Sequence, residues 1–516
     1  MNIAIIGAGV SGLTTAYYLR QNPLLKDATI TIYEKAGQVG GNADTFQVEL
    51  PDGSGGSIQR WVDMGVNDFN LGTYKVLTQL WQEFGIMNNN IPCPGSPYCS
   101  PLIDTESFSL PDNNYTYRYS VGADGCVTVP YGSSANQSIL QQDIDNFKQA
   151  LADWYNNNSQ EGVNPITVGD WLLTQKFSEE FIFCNLYPRI NGMYFTLESN
   201  LSQSSTPPPS TMPLWMVAHY YILQEAYGQV IQPSLACSRQ YFVDGSSQWL
   251  KFLANKLTTE LNVTINFNCP ELTVSRVEYS EKITKMVLSN NGTGLGIYDK
   301  VIFATHADDT FNMIDNSFKS DEMVEALQSF EFSSSNIIVH QDHSFLAPQA
   351  DCNNTYNIHI YDYQPTTAEY PYTISYIANY HQNDVAKGIN DPLFFITLNP
   401  YWELDASKIL KQPDGSLAQT TLRHCKLNTA AMNAQVLIDE IQLEAQTERS
   451  YYFAGSFARG AGLHMECIIH AQELAKKIAN PSYISNQTYK FKGGQRHFAP
   501  KYVLDALTRI KKEEMI

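Results

Sequence analysis

A chain that opens Asn2-Ile3-Ala4-Ile5-Ile6-Gly7-Ala8-Gly9-Val10-Ser11-Gly12 has little freedom in how its N-terminal segment folds. The apolar run 2–6 reads as a strand buried on both faces, because it shows no polar alternation. Leu13, Ala16, Tyr17 and Leu19 then recur at helical spacing until Asn22-Pro23, where proline lacks a backbone donor and restricts the residue before it. Thr29-Ile30-Thr31-Ile32-Tyr33-Glu34 is a second strand that closes on a carboxylate. Strand, glycine loop, helix, strand and acid together suit a dinucleotide. Gly7 permits the tight turn, Gly9 lets backbone approach a pyrophosphate, Gly12 lets helix and strand pack closely, and Val10 and Ser11 present helix-start amides to the phosphates. Three glycines in this pattern also occur in ordinary turns. Glu34 decides between the two readings: it stands 22 residues after Gly12 (34 − 12 = 22), near the ~20 at which an acid meets the adenosine ribose. A carboxylate there repels a 2′-phosphate, so FAD or NAD is expected rather than NADP.

At 516 residues the chain exceeds one ordinary core, and two or more interleaved domains are expected. A net charge of −19 with only 16% charged residues gives an acidic, largely uncharged polar surface. No basic face is visible, which sets nucleic acid aside as a partner. No segment approaches the ~18 consecutive apolar residues that would span a bilayer, so membrane contact is expected to be peripheral at most. The first strand starts directly after Met1, leaving no room for a signal peptide, and a cytoplasmic setting is expected. Nine cysteines spread singly, with no CxxC pair, fit reduced thiols; Cys93 and Cys99, either side of Pro94-Gly95-Ser96-Pro97, could pair if oxidised. No metal is expected.

Farther along, Lys35 is followed by Gly40-Gly41-Asn42, whose backbone amides would reach the same pyrophosphate from the other side, unless the glycines are a surface turn. Trp61-Val62-Asp63-Met64-Gly65-Val66-Asn67 reads as strand then loop, followed by a helix over 73–84. Residues 88–160 look like an extended insertion of low periodicity, with a helix over 139–155. The stretches 177–195, with Arg189 and Tyr194, and 212–227, with Trp215, are dense in aromatics, as a core or the wall of an apolar substrate pocket would be. A helix over 249–257 and strands over 262–267, 274–277 and 299–306 return the chain to the first domain, the last ending on Ala304-Thr305-His306. Strands such as 336–340 and 393–398 follow. Near the end, Phe453-Ala454-Gly455-Ser456 leads through Gly462-Leu463-His464-Met465-Glu466 into a helix over 467–479, a second strand, glycine loop and helix.

In order along the chain, the N-terminal motif, Gly40-Gly41-Asn42, Val62-Asp63-Met64-Gly65, Phe303-Ala304-Thr305-His306-Ala307-Asp308, Thr397-Leu398-Asn399-Pro400, and Phe453-Ala454-Gly455 with Gly462-Leu463-His464 resemble the flavin amine oxidase superfamily. Within it they look most like bacterial FAD/NAD-binding oxidoreductases of the type fused to cyclopropane-fatty-acid synthases. The resemblance implies an α/β fold in which a Rossmann-type FAD-binding domain (1–75, 235–310 and 425–480) interleaves with an α+β substrate domain on a mixed sheet (76–234 and 311–424), with a tail over 481–516. It implies noncovalent FAD on Gly7, Gly9, Gly12, Glu34, Gly41 and Gly455, with Val10, Ser11, Lys35, Gly40, Asn42, Gly65, Val66, Asn67, Ala304, Ser456 and His464 around it and Met465 and Glu466 beside the ring. Two departures bear on the reaction. The lysine that amine oxidases commonly hold near flavin N5 is missing from the strand Ser335 to His340, and no paired aromatic cage for a neutral amine is evident. Cys425 stands near where some relatives attach flavin covalently, yet fits a structural thiol.

The expected activity is therefore FAD-dependent removal of a hydride from a hydrophobic, lipid-like small molecule, by desaturation or double-bond isomerisation. Arg189, Tyr194 and Trp215 are the candidates for substrate contact, and His306, His464 and Asn67 for catalysis, either histidine as general base. An amine or amino-acid oxidase using oxygen, and a flavin-binding protein without catalysis, stay open as alternatives.

Overall fold

The computed structural model describes residues 1–70, 74–86, 100–101, 104–109, 116–121, 127–128, 134–158, 166–179, 181–194, 209–224, 239–242, 244–280, 283–346, 353, 355–360, 372–382, 384–400, 403–443, 450–481 and 483. Cys93, Cys99 and all but the first residues of the expected tail lie outside them. The contacts divide the chain into two units.

The first unit takes Met1–Ala43, Ser247–Glu331 and the described residues from Leu427 onward. In chain order it holds β1 (Asn2–Ile6), α1 (Val10–Gln21), β2 (Thr29–Tyr33), α2 (Ser247–Thr259), β3 (Val263–Asn266), β4 (Leu272–Ser280), β5 (Ile283–Asn290), β6 (Thr293–Tyr298), β7 (Lys300–Phe303), α3 (Ala307–Met313), α4 (Asp321–Gln328), α5 (Thr429–Leu443), β8 (Tyr451–Phe453) and α6 (His464–Ala479). Its central sheet runs β3-β2-β1-β7-β8, and every pair is parallel. Ile3, Ala4, Ile5, Val301, Ile302 and Phe303 are fully buried, which is why these strands read as unbroken apolar runs: a parallel sheet is covered on both faces. Strands β4, β5 and β6 form an antiparallel meander. Its last turn is Asn291-Gly292, both at positive φ (48° and 74°), the geometry that a two-residue hairpin loop requires.

The second unit takes the described residues of Asp44–Ser246 and Phe332–Lys426. Among them, a hairpin pairs Thr45–Pro51 with Ser57–Asp63, and a mixed sheet runs in the order Gln419–Cys425, Phe332–His340, Phe395–Leu398, Tyr372–Ile377, Tyr356–Ile360, Asp104–Ser109, Thr116–Val121, Val127–Thr128. The contacts thus change unit after Ala43 rather than at 75, because the hairpin builds into the second unit, where Glu49 N donates to Lys411 O at 2.9 Å.

Within 88–160 the described residues form more regular elements than the low periodicity suggests. They supply the strands Asp104–Ser109 and Thr116–Val121, and the helix Ser134–Asn158 is longer at both ends than its apolar positions suggest. No helix among the described residues is long and apolar enough to cross a membrane.

Candidate cofactor site

At the C-terminal ends of β1, β7 and β8 the backbone passes from strand to strand in a single row. Ala304 N donates to Ile6 O at 2.8 Å and Ala454 N to Phe303 O at 2.7 Å, so the residues that follow, Gly7, Thr305 and Gly455, start neighbouring loops. On the other side Gly7 N donates to Tyr33 O at 2.8 Å, and Gly40 N donates to Ala8 O at 3.1 Å where Gly9 and Gly40 form a parallel bridge. Residues far apart in sequence, Gly7 to Gly12, Glu34, Gly40, Gly41, Ala304 and Gly455, therefore meet along one sheet edge. This is where an open parallel sheet binds ligands.

The glycines are there for different reasons. Gly7 adopts φ 104°, and a side chain on it would lie 2.6 Å from Ala304 O. A Cβ on Gly12 would lie 2.0 Å from Gly7 O, so α1 can approach β1 only without one. Gly9 differs. Its backbone is extended (φ −79°, ψ −173°), and a Cβ would meet nothing nearer than Gly41 Cα at 3.8 Å. The protein's own packing leaves that space open, and α1 begins beside it with no side-chain cap and no acid in its first turn. An open cradle at an uncapped helix start fits the pyrophosphate of a dinucleotide. Glu34, almost fully buried, turns its carboxylate back toward this loop: Oε2 accepts Ala8 N at 2.7 Å and Oε1 accepts Ala36 N at 2.9 Å. Each oxygen keeps a lone pair for a ribose hydroxyl.

Around β8, helix α6 starts at His464, three residues before the expected start, so His464, Met465 and Glu466 form its first turn rather than a loop. Its N-cap is Leu463, which has no capping oxygen; instead Glu466 reaches back and accepts Ala461 N at 2.8 Å and Leu463 N at 3.1 Å. That carboxylate is fully buried and serves the helix start. Met465 is buried as well. His464 packs edge-on against Trp249, ring centroids 5.6 Å apart, and burial pushes its pKa down to about 4. It is a neutral imidazole at neutral pH. Cys467, one turn on, donates its thiol to Gly462 O at 3.5 Å, and α6 packs against α1.

Ser456 is half-buried at the start of the same loop. His306 is half-buried ahead of α3, its Nδ1 3.8 Å from Asp309, and with Asp308 these groups bring possible ligand atoms within 4.8 Å of one another. Lys35 extends into solvent, 3.9 Å from Asp309.

A family described as an NAD(P)-binding Rossmann-like domain matches residues 5–84. Prenylcysteine oxidase 1 of Bos taurus is 49% identical over 57 residues, a match that spans 11% of this chain and 11% of that protein. Among solved structures, cyclohexylamine oxidase from Brevibacterium oxydans IH-35A is similar over 93% of this chain and 98% of its own, at 14% identity and a TM-score of 0.55. Wild-type putrescine oxidase, solved with putrescine bound, is similar over 93% and 99%, at 13% identity and a TM-score of 0.55. The fold is amine-oxidase-like, with a Rossmann-like N-terminal part.

In this amine-oxidase-like fold the other expected site residues belong to the second unit. Gly65 is buried and Val66 and Asn67 are half-buried in the loop after Asp63, which Met64 N anchors by donating to Asp44 O at 2.8 Å. Arg189 and Tyr194 lie on the helix Tyr187–Tyr194 and Trp215 on Leu214–Gln224, all three buried. The Arg189 guanidinium stacks 5.6 Å above the Tyr221 ring, and Tyr194 OH donates to Met216 O at 2.5 Å. These contacts join the two helices to each other. Sequence reasoning missed Arg459, Gln435, Asp439 and Glu473, which hold the segment leading into α6; their spacing carries no motif.

Proposed function

We propose that the chain is an FAD-dependent oxidoreductase whose first unit holds the dinucleotide and whose substrate is a largely apolar small molecule. The observation that carries the cofactor assignment is the open cradle at Gly9, placed between an uncapped helix start and the Glu34 carboxylate. When bound, FAD supplies a ring that accepts a hydride. The chain's own contributions are separate from that chemistry. The amides of Val10, Ser11 and Gly12 would hold the phosphates, Glu34 would orient the ribose, Gly40, Gly41 and Asn42 would hold the pyrophosphate from the other side, and Ala304, Gly455, Ser456 and the first turn of α6 are assigned to the ring end. His306, half-exposed, is the better candidate for a proton acceptor, since His464 is held neutral with little basicity.

The apolar substrate rests on two supports. The strand Phe332–His340 carries no lysine, and the local likeness is to an oxidase named for a prenylated amino acid. Desaturation or double-bond rearrangement of a lipid-like molecule is the reaction class we assign. The resemblance of the sequence blocks to bacterial oxidoreductases of the type fused to cyclopropane-fatty-acid synthases supports this reading. A second reading, amine oxidation with oxygen, is supported by the likeness of fold to putrescine and cyclohexylamine oxidases. The two are separated by anaerobic titration of the yellow protein with fatty acids, prenylated thiols and primary amines. Bleaching by the apolar compounds alone is the expected result. Bleaching by amines alone, with peroxide released in air, overturns the apolar reading, and a yellow protein that nothing reduces overturns catalysis altogether.

A further inference from the structure

We propose that Arg459 is a positioning residue for the cofactor, acting without touching it by fixing the shape of the segment between Gly455 and α6; this rests on the FAD reading above. The segment is held from two helices. Arg459 NH1 donates to Glu473 on α6, and NH2 donates to both oxygens of Asp439 on α5 at 3.0 and 3.1 Å. Gly460 N donates to Gln435 Oε1 at 3.0 Å, and Gln435 Nε2 donates to Gly460 O at 2.8 Å and Phe457 O at 3.1 Å. Gln435 and Asp439 stand four residues apart on α5, and Glu466 and Glu473 seven apart on α6, so each pair projects from one helix face toward the segment.

Stability alone is a poor reason for such an arrangement. Arg459 is 7% exposed, and a buried guanidinium with two buried carboxylates is commonly no better for stability than apolar residues of the same volume. What it secures is a single conformation. At one end of the segment Gly455 must stay where a Cβ would lie 2.2 Å from Thr305 O. At the other, Glu466 sets the α6 start through Ala461 N and Leu463 N. Both ends belong to the edge assigned to the cofactor, and Arg459 sits midway between them. A planar fork that meets two carboxylates at once is an arginine property that lysine cannot reproduce. A segment ordered in advance spares the cofactor the entropy of ordering it on binding.

The test uses the full chain with Arg459→Lys and Asp439→Asn, each compared with wild type in FAD affinity, in the fine structure of the visible flavin band, and in melting temperature with and without FAD. Expected is a dissociation constant for FAD at least tenfold higher in Arg459→Lys, a blurred flavin band, and a smaller stabilisation by FAD than in wild type. Equal loss of stability with and without FAD, and an unchanged dissociation constant, would mean a structural role and overturn the inference. Should Arg459→Lys fail to fold, Asp439→Asn keeps the Glu473 contact and is judged by the same criterion. Wild-type protein that refuses FAD brings down the cofactor reading and this inference together; variants that bind as well as wild type overturn this inference alone.

Discussion

The Asp63 carboxylate accepts the backbone amide of Ser246 at 2.9 Å. It also accepts the Ser246 hydroxyl at 3.0 Å and the Thr45 hydroxyl at 2.5 Å. Thr45 lies just after the point where the chain first enters the second unit, and Ser246 is the last residue before it leaves. One carboxylate therefore ties two chain crossings together inside that unit. The other two crossings are joined by backbone instead, where Phe332 pairs with Cys425 at the end of adjacent strands.

Burial pushes the Asp63 pKa up to about 7, against the pull of its hydroxyl and amide donors. A carboxyl in an unfolded chain titrates near 3.9. Because the folded value is the higher one, this group's contribution is fully present below about pH 4 and is lost as the pH rises through about 7, roughly 4 kcal/mol over the whole range. Asp63→Asn removes the titration. Urea unfolding at pH 5 and at pH 8 is expected to show wild type losing more stability on the alkaline side than the variant does; parallel losses refute the assignment.

The glycines predict two different failures. Gly9→Ala adds a Cβ to open space, so the cofactor-free protein should keep its stability within ~0.5 kcal/mol while FAD binds at least tenfold more weakly. Gly12→Ala places a Cβ against Gly7 O inside closed packing and should cost roughly 3 kcal/mol before any cofactor is added. Denaturation of the cofactor-free variants, followed by FAD titration, separates the two. Equal behaviour contradicts the distinction drawn between them.

What the sequence made legible is what is local in it. The strand, glycine loop, helix and acid between Asn2 and Glu34 lie within one supersecondary unit, so spacing alone located them. Strand β6 was not anticipated because Gly294 and Gly296 dilute the β-branched signal that marks a strand. The start of α6 was placed late because Leu463 is no capping residue and the cap comes from Glu466, inside the helix. The clamp on Arg459 was invisible for a deeper reason: its partners at 435, 439 and 473 are brought together only by the packing of α5 and α6 around the segment.

In the second unit Arg60 is 9% exposed, bonds both oxygens of Asp384 at 2.8 and 2.9 Å, and reaches Asp391 at 2.7 Å and Gln382 at 2.7 Å. It joins the N-terminal hairpin to the segment after Tyr372–Ile377. Arg60→Met leaves Asp384 as a buried charge without its partner, and a loss of about 3–5 kcal/mol is expected. The double variant Arg60→Met, Asp384→Leu should recover most of it, because an apolar pair needs no counter-charge. Urea unfolding of the single and double variants decides, and a double variant no better than the single one shows that the charge was not the cause.

His464 gives the last prediction, with a sign opposite to that of Asp63. Burial holds its pKa at about 4, below the ~6.5 of an unfolded chain. The imidazole therefore contributes stability that is complete above about pH 6.5 and is lost as the pH falls through 4, roughly 3 kcal/mol in all. For catalysis the consequence is that a group this weakly basic accepts a proton poorly at neutral pH. Any inflection of kcat/KM between pH 6 and 7 must then arise elsewhere in the protein or the substrate. His464→Asn should leave such an inflection in place while abolishing the acid-side loss of stability between pH 6 and 4. An inflection that disappears with the histidine would instead make it the proton acceptor, and would require that binding of cofactor or substrate raises its basicity by restoring a charged or hydrated neighbour beside Trp249.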